Sequence, residues 1–270
     1  MRSSVSAATA LALWGAAHAG GAAADDVLAA LSGCRITAGV RLGGTVPEDS
    51  PAATLPGPGE PAAGPAALLP MLRSDTPVLV LPRAGDVRGL PAAGAGSALT
   101  TAAVAVGAAV LLPGADVTVV PIDGQWRLYH GVGVSDEPDP VAAREELDAA
   151  VLRATAAFAQ NDLGRDTAAA RNSVAATISQ LTVPPPPGTP PRAAALLHRC
   201  IQLEAVLAAV AAHDTAAASV FELGRVADAL MPLTNAARHA RRAAVAMAVR
   251  ELVGSRTAGG PLMRTPGRQF

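Results

Sequence analysis

Apolar positions at the start of the chain recur at helical spacing, which predicts two short helices over residues 4–20 and 25–31. Leu11, Trp14 and Ala17 share one face of the first, giving it an amphipathic reading. At Ile36 the period changes. Ile36, Ala38, Val40 and Leu42 alternate with Arg35, Thr37, Gly39 and Arg41, the pattern of a strand with one buried face. Further on, residues 77–81 (PVLVL) form a continuous apolar run bounded by prolines, as a buried strand does. Residues 97–112 read as a helix capped by Ser97 and stopped by Pro113-Gly114. Residues 116–121 and 125–131 flank Asp123-Gly124, a dipeptide suited to the tight turn of a hairpin.

From Asp139-Pro140 onward the pattern is helical throughout. Leu147, Val151, Ala154 and Phe158 recur along one face, residues 161–165 interrupt, and Val174, Ile178 and Leu181 resume it, predicting two stacked or kinked helices. The prolines at 184–187, 190 and 191 cannot stay helical and make a rigid connector. A third helix carries the stripe Leu196, Cys200, Leu203, Leu207 and Val210. The fourth runs over residues 215–253 with Gly254 as its cap, and Pro232 should bend it. These elements predict an α+β fold: a small mixed or antiparallel sheet with helices in the N-terminal half, and an all-α bundle in the C-terminal half. The expected division is residues 1–42, a Pro/Gly-rich linker over 43–66, an α/β segment over 67–135, the bundle over 136–254 and a disordered tail over 255–270.

Composition narrows the choice of function. All 21 basic residues are arginine, so Schiff-base lysines and the lysine of a phosphate-binding loop are excluded. A net charge of -1 and an aromatic content of 2% leave neither the basic footprint nor the stacking platforms of a nucleic-acid binder. Cys34 and Cys200 are far apart and lack metal or redox spacing, so both read as buried thiols. Residues 1–24 carry features of an export signal, with Arg2 at the start and Ala17-His18-Ala19 as an A-x-A site, but one arginine and an alanine-rich apolar stretch favour a native helix and a cytoplasmic protein. The secreted alternative stays open. The apolar run at 102–112 is too short to cross a bilayer, and no membrane span is expected.

Two clusters could carry chemistry. Arg83, Asp86 and Arg88 sit among Gly85 and Gly89 directly after the 77–81 strand, where loops often bind ligands. Arg83 and Arg88 could grip a carboxylate or phosphate with Asp86 orienting one of them; the plainer reading is a solvated turn. On the fourth helix, Arg238, His239, Arg241 and Arg242 could pair with the acids Asp136, Glu137, Asp139, Glu145, Glu146 and Asp148 across the bundle. Alternatively Arg238, Arg241 and Arg242 form a partner-binding surface. Gly94-Ala95-Gly96-Ser97 only faintly matches a dinucleotide-binding loop. His198 and Cys200 are two apart on a helix and point to different faces, so they form no dyad. Scattered histidines suggest no metal site, His130 reads as a strand-face residue, and no cofactor is implied.

Three stretches carry a family resemblance: residues 81–91 (LPRAGDVRGLP), 193–212 (AAALLHRCIQLEAVLAAVAA) and 233–244 (LTNAARHARRAA). Together they resemble a family of uncharacterised proteins from high-GC actinobacteria, in which an LPxxGDxxGL segment precedes a helical C-terminal region. The resemblance implies no activity. It supports reading both halves as one protein. The expectation on function is a non-enzymatic intracellular interaction or scaffold protein acting through its helical half, through a protein partner or self-association. The alternative is a small-molecule or anion-binding protein, enzyme or not, that uses Arg83, Asp86 and Arg88.

Overall fold

The computed structural model describes residues 2–34, 36, 38–92, 97–134, 136–160, 168–213 and 220–258. Its five strands form one mixed sheet in the order β1-β5-β4-β3-β2, with β1 (Val40–Leu42) parallel to β5 (Gln125–His130). Strands β2 (Val78–Val80), β3 (Ala109–Leu112), β4 (Val117–Ile122) and β5 pair antiparallel in turn. The β4–β5 hairpin turns at Asp123 and Gly124, both at positive φ, as the dipeptide predicts. The fold is thus α+β.

Side chains on the sheet alternate between two helical covers. Val80, Ala109, Leu111, Val120 and Tyr129 pack beneath α4 (Ala98–Val106), together with Leu99 and Ala103 of that helix. Leu79, Val110, Leu112, Val117, Val119, Trp126 and Leu128 face the opposite way, towards α1 (Arg2–Ala19). The far side of α1 is covered by α6 (Ala168–Leu181) and α8 (Val220–Ala258). Ala7, Ala8, Ala10, Leu11, Ala12 and Leu13 are therefore all buried, and the single apolar face read from the sequence is corrected to burial nearly all round. One continuous core runs from the sheet through α1 into the helices of the C-terminal half.

Other corrections concern the sheet and its edge. The helix predicted over 97–112 keeps its Ser97 cap, which accepts from the Thr100 amide at 3.1 Å, but ends at the left-handed Gly107. Residues 109–112 become β3, paired on both edges and buried on both faces, so their continuous apolar pattern carries no strand period. The 36–42 strand is regular only over its last residues, and its Arg35 and Thr37 lie outside the described residues. The 43–66 stretch folds back on the sheet edge: Val40 and Ala63 exchange backbone hydrogen bonds, and Ala52 and Leu55 enter the core. It leads through a 3-10 turn (Pro65–Leu68) into α3 (Leu69–Arg73), which the sequence pattern did not reveal. Helix α2 (Ala24–Ser32) lies against α1.

In the C-terminal half, α5 (Pro140–Gln160) and α7 (Pro191–His213) both pack on α8, while α6 packs on α7. The proline connector between α6 and α7 is tied to α1. Trp14 Nε1 donates to the Pro184 carbonyl at 3.0 Å, and Ser6 Oγ to that of Leu181 at 3.1 Å. Helix α8 continues past Gly254 to Ala258, so Gly254 is not its cap; the interruption at 161–165 and the tail beyond 258 lie outside the described residues. Residues 191–210 of α7 are long and apolar enough to cross a membrane, with a mean hydropathy of 1.5. In this fold the same helix packs between α6 and α8.

Candidate functional site

The LPRAGDVRGLP segment leaves the end of β2 as two consecutive tight turns. Arg83 and Asp86 exchange backbone hydrogen bonds at 2.9 Å in both directions, and Leu90 N–H donates to the Val87 carbonyl at 3.0 Å. Gly85 and Gly89 stand at the third position of each turn with φ of 80° and 88°, angles at which a side chain would be strained. Residues 131–134 then cross directly over the second turn. A Cβ at Gly133 would lie 2.3 Å from the Gly89 carbonyl oxygen, so only glycine allows the approach. That crossing carries Asp136 and Glu137 to the start of α5, opposite α8.

The result is a cleft of about 590 Å³ between the loop after β2, the entry to α5 and one face of α8. Arg83, Asp86 and Arg88 line it from the sheet side; Asn235, Arg238, His239 and Arg242 line it from α8. The two clusters that sequence reading kept apart meet in one cavity. Positions 235, 238, 239 and 242 follow the helical repeat, so they share a stripe. Arg241 does not belong to it.

Arg241 points the other way and is fully buried. Its Nε and Nη2 donate to both Glu204 carboxylate oxygens on α7, at 2.9 and 2.7 Å, and its Nη1 to Thr9 Oγ1 of α1 at 3.3 Å. Membership of a partner-binding surface is corrected for this residue: it ties three helices together from inside. The helical repeat alone does not reveal this, because Arg241 stands three positions from Arg238 as it does from Ala244; the Glu204 carboxylate on α7 is what sets it apart.

The remaining cleft charges fall into two groups. Asp86 accepts Arg88 Nε at 2.9 Å and Nη2 at 3.0 Å, Glu146 contacts His239 Nδ1 at 2.7 Å, and Glu137 binds Arg250 at 2.5 Å. Asp139 accepts the Val141 amide at 2.9 Å as a helix cap. Arg242 donates to the Asp136 carbonyl at 3.3 Å. The predicted opposition of α5 acids and α8 bases is present in these pairs, although Arg241 finds its acid on α7. Arg88 sits in its pair with an 80% exposed side chain, at the mouth rather than the wall.

Arg83 and Arg238 are different. Among the described residues neither has an acid within ion-pair distance. Arg83 Nη1 donates to Asn235 Oδ1 and lies 3.4 Å from Met231 Sδ. Arg238 Nη2 is buried with no hydrogen-bond partner. Burial first, and then the charge of Arg83, push the Arg238 guanidinium below its ordinary range. Asp86 moves down to about 2, chiefly because Arg88 hydrogen-bonds its carboxylate. In the native protein its carboxyl should titrate near that value, and in Arg88→Ala move up towards 3.8, as read by carbon-detected NMR. The sign follows from linkage: the folded-state value is depressed, so the pair contributes above the ordinary carboxylate range and is lost as pH falls towards 2.

Other sequence candidates do not join the cleft. Cys200 is buried on its stripe and its thiol is pushed up to about 12 by burial; Cys34 is half-buried and pushed up to about 11 by the same cause. His198 is exposed and contacts Gln202 at 3.0 Å. His130 is an exposed strand-face residue 3.6 Å from Asp116. Residues 94–96 lie outside the described residues, and no group of three potential metal ligands occurs among the described ones.

Two family models match the chain. One, described as the N-terminal domain of Rv1486c-like protein, covers residues 8–143; the other, described as its C-terminal domain, covers residues 141–242. No curated protein and no solved structure matches.

Proposed function

The chain belongs to the Rv1486c-like protein family, and for it we propose a binding function: capture of a small organic anion in the cleft between the sheet and α8. A single observation carries this reading. Arg83 and Arg238, from opposite halves of the chain, line one cavity of about 590 Å³ with no acid partner among the described residues, while most of the acids around them are engaged elsewhere. Partly desolvated cations facing each other are unfavourable on their own. An anion between them gains charge-assisted hydrogen bonds and relieves their repulsion. Asn235 supports it by holding Arg83 in place.

This is preferred to a scaffold role because of where the arginines that suggested a partner surface on α8 stand. Arg241 is buried, and Arg238 and Arg242 line the cleft. The test is thermal unfolding of the full chain in matched sodium chloride, acetate and phosphate. Acetate or phosphate should raise the melting temperature of the native protein above the chloride control, and that increment should vanish in Arg83→Ala and Arg238→Ala. The double variant Asp86→Ala with Arg88→Ala should keep most of it, since it removes a pair that is already neutral. Equal increments in native protein and in both cleft variants would end the proposal.

A further inference from the structure

A second, smaller cavity opens beside the cleft. It measures about 200 Å³ and is bounded by Val5 of α1, Leu81, Gly107, Leu207 and Ala208 of α7, and Ala237 of α8. Leu81 and Arg238 line both cavities, so the two share a wall and a cationic group. The polar groups of the smaller one are otherwise committed. Glu204 is held bidentate by Arg241, and Thr234 Oγ1 donates to its own helix at the Leu230 carbonyl, 3.0 Å away. Arg238 is left as the polar handle at the edge of an apolar hollow.

Size and charge together restrict the occupant. An apolar cavity of about 150 Å³ is enough to take up benzene, so this one suits a ring-sized group or a short alkyl chain. On the cleft side, Asp86, Asp136, Glu137 and Asp139 line the same cavity as the arginines, and their charge opposes a multiply charged head. One negative charge matches two guanidinium groups among these acids better than a phosphate dianion does. We propose that the anion bound by this protein is an apolar monocarboxylic acid, its carboxylate between Arg83 and Arg238 and its hydrocarbon part in the cavity between α1, α7 and α8. This rests on the anion-binding reading above and adds the class of ligand.

Calorimetric titration of the full chain with acetate, butyrate, hexanoate and octanoate tests it. Each methylene that enters the cavity should tighten binding about fourfold, until the hollow is full and the series levels off. Ala208→Leu, which fills the hollow, should flatten the series while leaving acetate binding as it was. Leu207→Ala should move the plateau to longer acids, and keeps the test decisive if the larger residue at 208 disturbs folding. Acetate bound with no dependence on chain length would overturn the proposal and leave the cleft as a simple anion site. No binding of any acid, in a protein whose unfolding is cooperative, would overturn both readings.

Discussion

Replacing Glu204 with alanine should lower the unfolding free energy by about 3–5 kcal/mol, the range found when one partner of a buried ion pair is removed, and the melting temperature by roughly 10 °C. The reason is Arg241. Its side chain is fully buried, and without the carboxylate its guanidinium keeps only Thr9 Oγ1, at 3.3 Å. Glu204 itself retains 22% exposure and contributes less to the penalty than the stranded cation does. The double variant Glu204→Leu with Arg241→Met should recover most of the loss, because a packed apolar pair of similar volume avoids the desolvation of both charges. Urea unfolding of the three proteins decides between this and a pair that adds net stability: a double variant as unstable as Glu204→Ala would point to the latter. Loss of the pair should also loosen α1 from α7 and α8, since all three helices meet at this guanidinium.

Trp126 gives the second large effect. It is the largest fully buried side chain, on β5, opposite Val40 of β1 and Pro121 of β4. Trp126→Ala should cost about 3–5 kcal/mol through lost burial and the cavity left behind. Trp126→Phe should cost under about 1.5 kcal/mol, because its indole N–H has no partner and phenylalanine removes that buried donor along with some volume. Far-UV circular dichroism in urea is the suitable probe, as Trp14 is the one other tryptophan and lies outside the sheet. Equal losses for both variants would mean that the indole N–H has a partner after all.

Legibility in the sequence followed the physics of each element. The Asp123-Gly124 hairpin was readable because the turn fixes register locally and its strands alternate. Helices α5, α6 and α7 were readable from their stripes. What failed shares one cause, burial on every side. β3 is covered by α4 and α1 and paired on both edges, so its residues carry no period to separate strand from helix. Helix α1, enclosed by the sheet on one side and α6 and α8 on the other, has no polar face to read.

The site was legible in its parts but not in its assembly. Both arginine clusters stood out from the sequence, but the helical repeat sets Arg241 as near to Arg238 as to Ala244, so its burial was not legible there. That Arg83 and Arg238 face each other depends on β2 ending beside α8, a contact between residues more than a hundred positions apart that no local pattern encodes. The crossing of Gly133 over Gly89, which walls the cleft, is equally non-local.

The most direct check on the anion site is crystallographic. Crystals of the native protein soaked in sodium bromide and measured at the bromine absorption edge should give an anomalous peak within hydrogen-bonding reach of the Arg83 and Arg238 guanidinium groups. That peak should be missing from Arg238→Ala crystals treated in the same way. Bromide ordered elsewhere on the surface, with the space between those two arginines empty of it, would contradict the account.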